Sequence, residues 1–108
     1  MASEVLKVAH QIVTNSEMVL INGVSGHTYT VLNITLCETG AAAETFDLYV
    51  DPAAGSNDTY IYKVQAIGAN ETFEHTGRIV LNTTDVLYGI TASSANIDVV
   101  ISYLDQTL

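Results

Sequence analysis

Positive charge is scarce in this sequence of 108 residues: Lys7, Lys63 and Arg78 stand against twelve carboxylates, for a formal net charge of −9. Proteins grip a nucleic-acid backbone with clustered Lys and Arg that displace counterions, and such a cluster cannot be assembled here. Anionic membrane surfaces are disfavoured on the same ground. Cysteine is rarer still. Cys37 alone rules out an intrachain disulfide and a thiolate metal cluster, and its place at a strand end beside Glu38 is a poor setting for a reactive thiolate. No apolar run approaches the roughly 20 residues that a membrane-crossing helix needs. The opening MASEVLKVAH lacks the basic-then-apolar order of a secretory signal, so none is expected. Helical periodicity is missing too, and no window reads as a capped amphipathic helix; GAAAE at 40–44 reads at most as one turn.

What the chain has instead is alternation. In TVLNITLC, Leu32, Ile34 and Leu36 are predicted to project to one side, with Val31, Asn33 and Thr35 opposite. In ETFDLYV, Phe46, Leu48 and Val50 alternate with Thr45, Asp47 and Tyr49. In NIDVVISY, Ile97, Val99, Ile101 and Tyr103 alternate with Asp98, Val100 and Ser102. TYIYKV and RIVLN behave alike, and β-branched and aromatic residues dominate all these runs. The pattern predicts strands near residues 5–14, 17–22, 28–37, 44–50, 59–66, 71–75, 78–81, 86–92 and 96–104. Turn-forming clusters such as INGVSGH, DPAAGSND, IGANE and LNTTD separate them at roughly 8–12-residue intervals, the spacing of a sandwich or barrel. The expected fold is all-β: one domain over residues 1–108, an antiparallel β-sandwich of about eight strands with jelly-roll or Ig-like topology. A chain of this size buries roughly two-thirds of its unfolded surface, so oligomerisation would add useful stability.

Catalytic and metal chemistry find little support. Ser25 and His27 in GVSGH lack the strand-to-helix context of a nucleophile elbow, and the segment reads as hairpin glycines with a solvated Ser and His. His10, His27 and His75 fall in separate segments without zinc-ligand spacing, and His75 reads as part of an exposed polar strand face. Asp51, Asn57 and Asp58 could offer oxygens to calcium around Gly55, but the EF-hand pattern and its closing glutamate are missing. These residues read first as turn formers. The sequons at Asn33, Asn57, Asn70 and Asn82 follow from a composition rich in Asn and Thr. No catalytic residue, metal or cofactor is expected.

Tyrosine is the remaining signal. Tyr49, Tyr60 and Tyr62 flank the acidic DPAAGSND loop, and alternation places Tyr60 and Tyr62 on one face with Ile61 and Lys63 on the other. Tyrosine suits interfaces, pairing an apolar ring with a hydroxyl. The candidate interaction residues are therefore Tyr49, Asp51, Asn57, Asp58, Tyr60 and Tyr62, on a hairpin that presents shape rather than chemistry.

The order of segments adds a resemblance. ITLCETG, then TFDLYV, a Gly-containing acidic loop, YIYK, GANET, IVL with an Asp-containing turn, and a closing ASSANIDVV together resemble small all-β bacteriophage virion proteins over residues 28–104. Thr84 stands before Asp85 where such proteins more often have Gly, which bears on the turn type. The resemblance implies a non-enzymatic virion component. A capsid decoration or cement protein on the outer head surface is the first expectation, and a tail- or fibre-associated adaptor or receptor-binding module the second. Implied partners are other virion subunits, above all the major capsid protein, and further copies of the chain, a trimer before a dimer. Nucleic acid and membrane are not expected partners. Residues 1–14 are expected either to form the first strand of the sandwich or to act as an arm that engages a neighbour.

Overall fold

The computed structural model describes residues 3–52, 58–93 and 96–107. They form nine strands: β1 (Ser3–Val13), β2 (Met18–Asn22), β3 (His27–Glu38), β4 (Glu44–Asp51), β5 (Thr59–Ile67), β6 (Thr72–His75), β7 (Ile79–Asn82), β8 (Val86–Thr91) and β9 (Ile97–Thr107). Each coincides with a strand expected from the sequence, and no helix occurs among the described residues. All pairings are antiparallel.

Two sheets face one another. One has the order β1-β9-β3-β6 with β7 also on β3, and the other the order β2-β8-β4-β5. β6 pairs with Ile34–Cys37 and β7 with Thr28–Val31, so the two short strands occupy successive halves of one edge position along β3. With them counted together, four strand positions in each sheet wind as a jelly roll. Of the two topologies expected from the sequence, this is the one adopted. The core between the sheets is filled by alternate residues of both, among them Val31, Ile34, Leu36, Phe46, Leu48 and Ile101, all essentially inaccessible to water. Burying each such side chain contributes about 1.5–3 kcal/mol. The ends are closed by turn-to-turn contacts. Gly23 lies against the carbonyls of Thr83 and Asp85, where a Cβ would collide with both, and its N–H donates to the Asp85 carbonyl at 2.9 Å.

Bulges correct the expected faces. In β3, Val31 pairs with Tyr103 and Asn33 with Ser102, leaving Leu32 as an extra residue. Tyr29 and Val31 therefore face the core before the bulge, and Ile34, Leu36 and Glu38 after it. Leu32 is not a core residue and Val31 is one, because a single inserted residue inverts a period-two pattern. In β5, Tyr60 pairs with Tyr49 and Tyr62 with Leu48, so Ile61 is extra. Tyr60 and Tyr62 consequently lie on opposite faces, against the expectation that they share one. A second irregularity follows at Val64, which takes a φ of +53° that is costly for a β-branched residue. Its N–H donates to Asp47 Oδ1 at 2.7 Å, which helps hold the distortion.

β1 is the first strand of the sandwich itself, paired with β9 along its whole length from Ser3↔Thr107 to Val13↔Ile97. Yet only Ala9 and Val13 reach the core. Val5, Leu6, Val8 and Ile12 stay exposed, Leu6 at 73%.

Candidate functional site

On the outer face of the four-stranded sheet, strand register builds a row of rings. Tyr88 of β8 lies directly opposite Tyr49 of β4, and Tyr49 directly opposite Tyr60 of β5. Val19 of β2 extends the row on the far side of Tyr88. Residues directly across an antiparallel pair bring their side chains into contact, so the register alone forces these rings together. The Tyr49 and Tyr88 rings stack with centroids 5.4 Å apart and 25° between planes, and the Tyr49 and Tyr60 rings lie 5.0 Å apart at 40°. The Lys63 ammonium sits 4.2 Å from the centre of the Tyr60 ring, a cation–π contact. It also lies 3.9 Å from Asp47.

Tyr49 is the keel of this row, only 4% exposed, and its hydroxyl donates to Glu17. Burial first, and then the Glu17 carboxylate, push its phenol far above the ordinary range. Tyr88 is raised as well, by burial and then by Glu17, Asp51 and Asp58. Tyr49 and Tyr88 are therefore un-ionised over the whole biological pH range, in a surface of rings with an acidic rim. This surface can stack against and hydrogen-bond a partner.

Of the predicted interaction residues, Tyr49, Asp51, Asp58 and Tyr60 come together here, and Tyr88 is a member that sequence reasoning passed over. Tyr60 is itself exposed. Tyr62 does not belong: the bulge at Ile61 turns it toward the other sheet, with its ring 5.0 Å from Phe73 and 6.2 Å from Phe46. Asn57 lies outside the described residues. His75 is likewise corrected. It is half-buried on the inner side, its Nδ1 is 2.8 Å from the Tyr62 hydroxyl, and its Nε2 is buried without a partner.

A second polar group joins three strands of the other sheet. Asp105 of β9, 4% exposed, accepts from the Lys7 ammonium of β1 at 2.9 Å and from His27 Nδ1 of β3 at 2.8 Å. His27 is thus an anchored partner rather than a solvated turn residue. The His27 and Lys7 contacts hold the Asp105 carboxyl below the usual range, and Asp105 in turn raises Lys7. Burial, then Asp105, raises the adjacent Tyr29 phenol. The signal was present in the sequence: the inward alternation Ile97, Val99, Ile101, Tyr103 continues one step to Asp105. Among the described residues no three His, Cys, Asp or Glu side chains gather as a metal cluster.

No protein-family model matches the chain, and no curated protein matches its sequence. Its fold is similar to that of a subunit of the disulfide-linked pili that form Bacillus endospore appendages, with a TM-score of 0.58, 8% identity, and 99% of this chain and 88% of that one covered. It is similar to a chain of the acid-stable capsid of Helicobacter pylori bacteriophage KHP30, with a TM-score of 0.54, 13% identity, and 100% and 94% covered. A chain of infectious bursal disease virus strain Gx matches at a TM-score of 0.53 and 8% identity, with 99% of this chain but only 38% of that one covered. At these identities what is shared is the fold, a jelly roll found in the building blocks of particles and fibres.

Proposed function

We propose that this chain is a non-enzymatic structural subunit of a bacteriophage virion, held on the outer surface of the head as a decoration protein. One observation carries the reading: the likeness to the phage-capsid chain spans all of this chain and 94% of the other, so the whole sandwich has a counterpart in a phage particle. The net charge of −9 argues for the outside of the shell, away from packaged DNA. The proposed partners are the major capsid protein and further copies of the chain, as a trimer at local three-fold axes. Two surfaces suit these contacts. The tyrosine row, with Asp51 and Asp58 at its rim, offers rigid aromatic area. The β1 edge offers exposed aliphatic side chains and an open strand edge for a neighbour to pair with.

The likeness to the pilus subunit favours a second reading, a tail- or fibre-associated subunit. Immunogold labelling of intact particles separates the two. Label over the whole head supports decoration, and label confined to the tail or one vertex supports the fibre reading. Absence of the chain from a blot of denatured particles overturns both. Changing Asp51, Asn57 and Asp58 together to Ala is expected to leave folding intact and to weaken attachment to particles that lack the protein.

A further inference from the structure

Glu38 is the other buried carboxylate of the five-stranded sheet, 1% exposed at the end of β3. Its Oε1 accepts from the Gly40 N–H at 2.6 Å, and its Oε2 is buried with no hydrogen-bond partner. Gly40 packs so tightly over the carboxylate that a Cβ there would sit 2.8 Å from Oε1. Glu38 lines a cavity of about 340 Å³ under the 39–43 connection, together with Glu44, Ser93 and Asn96. The Glu44 carboxylate reaches Ser93 Oγ at 2.5 Å and the Thr45 N–H at 2.9 Å. None of the three fixed cations of the chain lines this cavity.

A carboxylate withdrawn from water with one oxygen unbonded is retained only against a desolvation cost, and a second carboxylate on the same cavity increases that cost. A bound cation removes both. The lining offers oxygens of two carboxylates, two hydroxyls, a side-chain amide and the backbone of the connection, with no imidazole or thiolate. That donor set suits a hard cation of flexible coordination, calcium, and not zinc or copper. The cavity leaves room for waters to complete a shell of six to eight oxygens.

We propose that this end of the sandwich is a calcium site, with Glu38 Oε2 as the anchoring ligand and Glu44 as the second carboxylate. It lies apart from Asp51 and Asp58, whose segment carries loose oxygen donors but no calcium-binding pattern. With two carboxylates the affinity belongs with that of extracellular modules, a Kd of roughly 10⁻⁴–10⁻³ M.

The test is calorimetric unfolding of the full chain, first in chelator and then in CaCl2, with NaCl holding ionic strength constant and MgCl2 as comparison. The wild-type Tm is expected to rise by roughly 5 °C for each tenfold increase in calcium above Kd. Glu38→Gln, which keeps the shape of the side chain, should abolish the rise, and Glu44→Gln should reduce it. Glu74→Gln, an exposed carboxylate on β6, should leave it unchanged. Isothermal titration of the wild-type protein with CaCl2 decides independently of whether the variants fold, with a single site expected. No calcium-specific rise in Tm, no one-site isotherm, or a full rise retained in Glu38→Gln overturns the proposal.

Discussion

The five-stranded sheet buries two carboxylates at opposite ends of the same strand pair and treats them differently. Asp105 sits where β9 meets Tyr29 of β3, and Glu38 where β3 meets Ile97 of β9. Asp105 receives two cationic or polar donors from neighbouring strands, one for each oxygen. Glu38 receives one backbone N–H and leaves an oxygen bare. The same residue chemistry at the same depth thus serves two ends. A carboxylate whose partners come from flanking strands ties those strands together, while one whose partner is its own local turn gives the sheet nothing and is left with charge to discharge.

Removing the well-paired carboxylate is expected to have the largest effect. Asp105→Asn strands Lys7 and His27 and loosens β1 and β3 from β9 between them; its Tm should fall by roughly 10 °C at neutral pH. The loss is itself pH-dependent. Because the folded state holds the Asp105 pKa below its unfolded value, its contribution is complete above about pH 4 and disappears as pH falls through the folded pKa. Melting curves of wild type and Asp105→Asn should therefore converge in acid, and a constant gap down to pH 2 would count against the pairing. Changing the other carboxylate should act with opposite sign. In chelator, Glu38→Gln is expected to stabilise by about 1 kcal/mol, raising Tm by roughly 4 °C, since it removes a buried charge and keeps the shape. A marked fall instead would mean that the ionised side chain is itself structural.

A third carboxylate, Glu17, sharpens the contrast because it is exposed and reaches inward only through the Tyr49 hydroxyl. Tyr49→Phe leaves it free to hydrate, so the cost should be about 1 kcal/mol or less by thermal unfolding. The smallest effect on stability is expected at Tyr60→Ala, about 0.5–1 kcal/mol for an exposed ring contact. The same change should reduce binding to particles lacking the protein, measured by co-sedimentation, if the row is a contact surface.

All nine strands are legible in the alternation, because a sheet with one buried face writes its period into the chain. Facing is legible only between bulges. Leu32 and Ile61 are ordinary apolar strand residues, and nothing in their type announces that each is supernumerary; the pairing partner makes them so. That is why Val31 and Tyr62 turned up on faces opposite to those predicted. Both buried carboxylates escaped notice for a simpler reason. Alternation was read only as far as apolar residues sustained it, to Leu36 and to Tyr103, and in each strand the next inward position holds an acid. The tyrosine row was half legible: proximity in sequence brought Tyr49 and Tyr60 together, but Tyr88 joins them only through register with a strand nearly 40 residues away.

The position of β9 between β1 and β3 carries a kinetic consequence. During synthesis β1 emerges first and its sole sheet partner last, with the two flanking strands of β9 waiting for a segment that begins at Ile97. Until then β1, with Leu6 and Val8 uncovered, lacks the strand it pairs with in the folded sheet, and its edge is open to other chains. Zipping β9 into that slot is a long-range step that sets a slow pace for folding. The nascent chain therefore passes through a stage in which the β1 edge is exposed to neighbouring chains.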